Sequence, residues 1–394
     1  MKIRDCFYLN PPKNSNNYKD YINYIDTSSV TDGKLDDVSY LTSDFPSRAQ
    51  RMVQYGDILY SSVRPNLKHY YHYRDNYSHP IASSGFVLLR NKDTNLCDTE
   101  YAFYFLSTKE VVSYLSNIAE LSQATFPSFS PKDLGGISLP IDDVKKQRRI
   151  ASILSAYDSQ IENNQKRIKL LEQMAENLYK EWFVRFRFPG YENVEKEKGL
   201  PKGWNLSPLS LYYKTSSGGT PSRSKPEYYS GDIQWIKTGE LQGSFILDTE
   251  EHITKDAVAH SAAKMIPPFS LLIAMYAGTN VGNLGINVNP ATCNQACCVF
   301  SSNGNYSLEY LYYFLKTQKE YLQSISFGAA QQNISQDILR KLKIVVPTEP
   351  LVSHFTKHVK VWHSSILKIL EQNRLLIKQR DLLLPRLMSG KLNI

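Results

Sequence analysis

Two stretches of this chain place seam residues three and four apart without a break. The first holds Leu154, Tyr157, Ile161, Asn164, Ile168, Leu171, Ala175, Leu178 and Trp182. The second holds Phe355, Val359, Trp362, Ile366, Ile369, Asn373, Leu376, Arg380, Leu383 and Leu387. A helix carrying such a stripe must cover it, and two matched stripes cover each other best. Long helices are therefore expected over Val144–Phe188 and Leu351–Met388. Each seam carries one asparagine near its middle, Asn164 and Asn373, and a buried amide costs stability unless it is paired. The two helices are thus predicted to pack antiparallel with these amides close together. At 1.5 Å per residue, a rod of about 40 residues is roughly 60 Å long. An alternative is that each helix lies along its own domain, which leaves the match between the stripes unexplained.

The sequence in front of each rod repeats the same order of elements. Residues 1–143 hold strand-like runs at 21–25 (YINYI), 57–63 (DILYSSV) and 85–89 (GFVLL), a helix over Thr99–Ile118 capped by Asp98 or Thr99, and a closing strand at 134–140. Residues 189–350 answer with IQWI (233–236), FSLLIAMY (269–276), SLEYLYYFLKTQKEYL (307–322) and LRKLKIVVP (339–347). The expected organisation is a first module over 1–143, a first rod over 144–188, a linker and second module over 189–350, and a second rod and tail over 351–394. The fold class is α+β: two tandem mixed α/β domains joined by two long antiparallel coiled-coil helices, an internal duplication with pseudo-twofold placement.

Charge is unevenly distributed. The chain carries a formal +8, of which Lys145–Arg187 holds ten basic against five acidic residues and Lys357–Lys391 eight against two. The rods therefore suit a polyanion or an acidic partner, while the modules are nearly balanced; solubility alone is the plain alternative. The 27 tyrosines are amphipathic rings suited to wet binding surfaces. No apolar run is long enough for a membrane span and no signal-peptide pattern opens the chain, so a cytoplasmic protein with reduced cysteines is expected.

Catalytic and metal-binding patterns are weak. Asn10-Pro11-Pro12-Lys13 looks like the start of an amino-methyltransferase motif. That motif needs an aromatic residue where Lys13 stands, to stack on a flipped base. No Walker A loop is present. His69, His72 and His79 have no cysteine or carboxylate to complete a metal set, and Cys293, Cys297 and Cys298 lack the second ligand pair of a zinc knuckle. These cysteines read better as small apolar residues, so no metal and no cofactor is expected on this chain.

The junction residues carry a family resemblance. LYKEWFVRFRFPG (178–190) followed by LPKGW (200–204) resembles the central junction of DNA-specificity subunits of type I restriction–modification systems. RDLLLPRLMSGKL (380–392) resembles their C-terminal signature, and SSVRPN (61–66), GGTPSRSKPEYYSGDIQWIKTGEL (218–241) and NQA (294–296) are similar to segments of the same family. The resemblance implies two target recognition domains, each reading half of a bipartite duplex target, and a coiled-coil spacer. Two methyltransferase subunits would dock there, and restriction subunits would join as translocase and nuclease. S-adenosylmethionine, ATP and magnesium would then belong to the partners, and the chain would direct adenine methylation and cleavage without catalysing either.

Carried onto this sequence, Leu154, Tyr157, Ile161, Asn164, Ile168, Leu171, Trp182, Phe355, Trp362, Ile366, Asn373, Leu376 and Leu383 would form spacer and docking surface. Candidate DNA contacts are polar residues in loops after strands. In the first module these are Thr27, Ser28, Arg64, Asn66 and Lys68. In the second they are Arg223, Lys225, Lys237, Thr238, Thr279, Asn280, Asn283, Gln331 and Gln332. Arg forks onto guanine or clamps phosphate, and Asn and Gln suit adenine. Each could instead be an ordinary solvated loop side chain. MYAGTN offers no arginine to match SSVRPN, so the two half-sites are expected to differ. Two rival readings stay open: a scaffold whose rods assemble other proteins, and a single-chain enzyme of nucleic-acid metabolism.

Overall fold

The structure is a computed structural model that describes residues 1–11, 20–122, 126–276, 278–304, 306–327 and 333–392. It divides into two compact units, Met1–Asn163 with Arg374–Ile394, and Asn164–Asn373. The fold is α+β, with mixed sheets in both units and two long helices, Val144–Tyr179 and Glu349–Met388, each contributing one part to each unit.

In the first unit, Phe7–Leu9, Phe86–Asn91, Ile58–Ser61 and Tyr70–His72 form an antiparallel sheet in that order. Its inward side chains Phe7, Ile58, Tyr60, Tyr70, Val87 and Leu89 pack with Tyr101 and Leu115. The same core takes Ile150 and Leu154 from the first long helix and Leu387 and Met388 from the second. A second sheet orders Ser39–Leu41, Ile22–Ile25, Pro80–Ser83 and Ala49–Met52, and its central pair is parallel, with Tyr24 opposite Ile81.

The second unit repeats this plan. Tyr213–Ser217, Cys297–Ser302, Leu271–Ala274 and Leu284–Asn287 follow the order of the first sheet, and Ser244–Ile246 is added on the outer edge. Ile233–Ile236 pairs in parallel with Ala291–Cys293, the counterpart of the parallel pair above. Its core is more aromatic: Tyr179, Trp182, Phe183, Trp204, Tyr213, Tyr310, Tyr313 and Phe355 pack as one cluster. Truncating a ring such as Phe355, which is fully buried, to alanine costs about 3–5 kcal/mol.

Three expectations need correction. The single helix over Thr99–Ile118 is two helices, Thr99–Leu106 and Lys109–Glu120. Asp98 caps the first by accepting from the Tyr101 amide at 2.9 Å. Ser107 and Thr108 then donate their hydroxyls to the Tyr104 and Phe105 carbonyls, which takes up helix-end acceptors and lets the chain turn. The second unit breaks likewise after Thr317, whose hydroxyl donates to the Phe314 carbonyl at 2.7 Å. Second, much of each closing strand is helical. Pro131–Gly136 is a short helix leaving only a bridge between Ser138 and Lys2, and Gln336–Lys341 is a helix before the strand Lys343–Val346. Third, the first rod does not run as an α-helix to Phe188. Its regular hydrogen bonding ends at Tyr179, and Lys180–Val184 follows as a wider π turn. This turn carries Trp182 out of a simple heptad frame and into the aromatic cluster.

Candidate nucleic-acid interface

The seams are buried in both units. In the second unit Asn164 Nδ2 donates to Asn373 Oδ1 at 2.8 Å, and Gln372 Oε1 lies 3.2 Å from the same amide. Both asparagines are at least nine-tenths buried. Each amide thereby meets its desolvation cost with a partner only a facing helix can supply. Ile366 and Ile369 are buried on the second helix, Trp362 and Leu376 half-buried, and Ile168 and Leu171 half-buried on the first. At the far end of this unit Trp182 contacts His354, Phe355 and His358, so the two helices run antiparallel. In the first unit Leu154 is buried, Tyr157 and Leu383 are half-buried, and Ile161 is 5% exposed. There the Arg380 seam position is explained by a partner the spacing did not reveal: Nη1 binds Asp158 Oδ1 at 2.6 Å.

The first unit gathers its candidate contacts from two segments. Thr27–Ser29 is a short turn after Ile22–Ile25, and Pro65–Leu67 is a short turn after Ile58–Ser61. His69 Nδ1 contacts the Val30 carbonyl, and the Asp32 amide donates to the Lys68 carbonyl at 2.8 Å. Gly85 closes the group. A Cβ there would stand 2.9 Å from Thr27 Cγ2, and its carbonyl accepts from the Ser62 amide. Ser28, Arg64, Asn66 and Lys68 are exposed on this assembly, and Thr27 is half-buried. Arg64 and Lys68 both hold left-handed backbone conformations, φ 48° and 56°, flanking the 65–67 turn. Such a conformation costs a non-glycine residue about 1–2 kcal/mol, and it aims both long cations outward from a fixed turn. Arg64 lies 5.7 Å over the Phe126 ring, and Lys68 pairs loosely with Asp32 at 3.5 Å. Tyr70 donates its hydroxyl to Asp32 at 2.6 Å, anchoring that carboxylate.

The second unit uses the same scaffold with different chemistry. Gly278–Asn280 is the short turn after Leu271–Ala274, with Gly278 at φ 56° and Gly282 at φ 84° in the left-handed places. Thr279 is exposed, Asn280 and Asn283 are half-buried, and Asn283 Nδ2 reaches Asn280 Oδ1 at 3.5 Å. The Gly243 amide donates to the Leu284 carbonyl, which brings the segment after Thr238 beside the end of that turn. Thr238 opens a turn over Thr238–Glu240, the counterpart of Thr27–Ser29. Gly218 and Gly219 let the GGTP loop lie directly on the NQA segment: a Cβ on Gly218 would stand 1.8 Å from the Cys293 carbonyl oxygen. Thr220 then donates its hydroxyl to Gln295.

Arg223 and Lys237 are not free cations. Arg223 forks onto Glu251 at 2.6 and 3.2 Å, and Lys237 Nζ lies 2.9 Å from Glu251 and 2.8 Å from Glu250. Hydrogen bonds from Arg223 and Lys237 hold the Glu251 carboxyl below its usual range, and those that Lys237 donates to Glu250 and Glu251 raise its amine. Lys225 bonds the Tyr228 hydroxyl at 2.9 Å. Asp32, Asp158, Glu250 and Glu251 escaped the sequence reading because a carboxylate's partner choice leaves no periodic trace. Gln331 and Gln332 lie outside the described residues, as do Pro12 and Lys13 of the Asn-Pro-Pro-Lys segment. All five cysteines are free and buried, Cys293, Cys297 and Cys298 in or beside strands of the second unit. Among the described residues no helix is long and apolar enough to cross a membrane.

Comparison with known proteins agrees along both halves. Residues 2–173 and 201–380 each match the type I restriction modification DNA specificity domain. The chain is 27% identical to the type I restriction enzyme HindI specificity subunit of Haemophilus influenzae, over 89% of either chain. It is 27% identical to the MjaIX specificity subunit of Methanocaldococcus jannaschii, over 75% of this chain and 69% of that one. Its fold is like the crystal structure of the type I restriction-modification S subunit from M. genitalium, with a TM-score of 0.60 at 14% identity over 98% of this chain and 95% of that one. With two copies of the domain spanning most of its length, the chain belongs to the family of type I restriction–modification DNA specificity subunits.

Proposed function

We propose that this subunit reads a bipartite, asymmetric duplex target, one half-site per unit, and directs adenine methylation and cleavage by partner subunits. The observation carrying the reading is the pair of equivalent turn clusters with unlike side chains. Arg64 and Lys68 flank the Pro65–Leu67 turn, whereas the left-handed residues of the second unit's turn are Gly278, which opens Gly278–Asn280, and Gly282 after it, with Thr279, Asn280 and Asn283 around them. Arg64 suits a guanine edge or a phosphate, whereas the asparagines suit adenine, so the half-sites differ. The target adenine would be flipped into a methyltransferase subunit's pocket, which keeps S-adenosylmethionine off this chain. ATP and magnesium belong to the translocating and cutting partners on this reading. The paired helices are the spacer and the docking surface for two methyltransferase subunits, in an assembly that works in the cytoplasm.

Mapping methylated adenines in cells that carry the intact system tests this directly. A two-part motif with a fixed unread gap is expected, and a continuous or symmetric motif would refute it. Exchanging residues 1–143 should alter one half of the motif only. Inserting one heptad into both rods should change the gap and leave both halves intact. A scaffold that reads no DNA would instead yield an assembly binding all duplexes alike at every salt concentration.

A further inference from the structure

Beside the second unit's recognition turns sits a charged group whose composition is unlike an ordinary surface salt bridge. The Arg223 guanidinium lies 4.1 Å from the Tyr229 ring centroid and 5.1 Å from that of Trp235. Both rings are fixed from behind: Tyr229 donates to the Pro221 carbonyl at 2.7 Å and Trp235 Nε1 to the Gly219 carbonyl at 3.0 Å. Arg223 is thus a pre-oriented fork on a rigid aromatic shelf, with its side chain still 56% exposed. The Lys237 amine converges on the same point from the turn following Ile233–Ile236. At that point is the Glu251 carboxylate, whose backbone carbonyl accepts from the Trp235 amide and the Thr249 hydroxyl. Two cations presented together on an exposed face, with a planar fork among them, form a phosphate-binding arrangement. Here an internal carboxylate fills it.

We propose that Glu251 is a built-in stand-in for a DNA backbone phosphate. It engages Arg223 and Lys237 until a correctly seated duplex displaces it. The inference rests on the DNA-reading function above. Its consequence is selective. An unrelated duplex gains no base contacts to offset breaking the Glu251 pairs, so it does not capture the two cations. A target duplex does make those contacts, and its phosphate takes the carboxylate's place. The cost of displacing Glu251 therefore falls on the target duplex, which takes the two cations, and not on an unrelated duplex, which leaves the Glu251 pairs intact.

The test uses the full chain assembled with its modification subunits. It measures dissociation constants for a target duplex and for an unrelated duplex of equal length, between about 50 and 200 mM salt. Glu251→Gln is expected to tighten target-duplex binding about tenfold, to tighten unrelated-duplex binding less, and to steepen the salt dependence of unrelated-duplex binding by about one to two counterions. Glu250→Gln removes the same charge from an exposed neighbour whose carboxylate pairs with Lys237 and, among the described residues, not with Arg223, and should have much the smaller effect. Equal effects of the two variants would reduce the proposal to general surface charge and overturn it. So would target-duplex binding that Glu251→Gln leaves unchanged. Should Glu251→Gln fold poorly, Arg223→Gln decides. The proposal expects the salt dependence of target binding to fall by about one counterion while that of the unrelated duplex keeps its slope, and a purely bracing role leaves both slopes as they were. If the unaltered assembly itself shows no preference between the duplexes, the DNA-reading function fails, and this proposal with it.

Discussion

The turn at 64–68 and the turn at 278–282 follow corresponding strands and each holds two left-handed residues four apart, yet they fill those places by opposite means. In the first unit the left-handed positions are Arg64 and Lys68, in the second Gly278 and Gly282. Glycine enters that region at little cost, while a residue with a Cβ resists it. The second unit thus makes its turn with little strain and leaves chemistry to the polar residues between the glycines. The first unit accepts strain and gains two long cations fixed at the turn's shoulders. A shared scaffold with unlike shoulders is how one fold offers two different surfaces.

That contrast can be broken, and the largest effect should come from charge. Arg64→Ala with Lys68→Ala should weaken binding of the assembly to its target by about 2–4 kcal/mol, or roughly 30- to 1,000-fold. Thr279→Ala with Asn280→Ala should cost less in affinity but relax the other half-site. Competition with duplexes altered in one half at a time would show it, and equal loss on both halves would end the assignment of one half to each unit.

The shared frame should respond differently from the shoulders. Asn373→Leu removes the shorter of the Asn164 amide's two contacts, leaving Gln372 at 3.2 Å, and should destabilise the protein by about 1 kcal/mol in urea unfolding. Adding Asn164→Leu should recover much of that loss, because the amide that lost its closer contact is then gone from the seam. A double variant worse than the single would mean that the amides do more than satisfy each other.

Acid should act on the second unit through His363. Burial, with Lys316 nearby, depresses this imidazole to about 4 from an ordinary 6.5, and the Tyr313 hydroxyl lies 3.0 Å from its Nε2. The unfolded chain therefore binds the extra proton between these values. The stability that neutral His363 supplies is present above pH 6.5 and is lost as pH falls from about 6.5 to 4, by up to about 3 kcal/mol. His363→Gln should flatten that part of the pH–stability curve.

The smallest effects have opposite signs and sharpen the comparison most. Lys68→Gly should stabilise the first unit by up to about 1 kcal/mol while weakening DNA binding, since strain is relieved and a cation lost. Gly282→Ala should destabilise the second by about 1–2 kcal/mol. Its new Cβ would meet the Lys319 side chain at 3.2 Å, in a conformation alanine resists. The same sign for both would show that the two turns are not under opposite strain.

Much of the frame was legible in the sequence. The seams, the duplicated order of strands, the Asp98 cap and the central strands of both units follow from periodicity and turn chemistry that act within a few residues. The helix breaks after Ser107 and Thr317 were missed because apolar spacing continues across them, while hydroxyl groups take up the carbonyls that would have carried the helix on. Of the candidate site, the loops were found by their position after strands, but the state of their charges was not.

The sequence by itself determined that two matched helices would cover each other's seams and that two similar modules would carry unlike loops. Only the tertiary structure decided that Arg64 and Lys68 hold left-handed shoulders, that Arg380 answers Asp158, and that Glu251 holds Arg223 and Lys237. The physical reason is range. Apolar periodicity repeats at every turn of a helix and so leaves a trace in the sequence. An ion pair or a strained turn is fixed once, by backbone brought in from tens or hundreds of residues away.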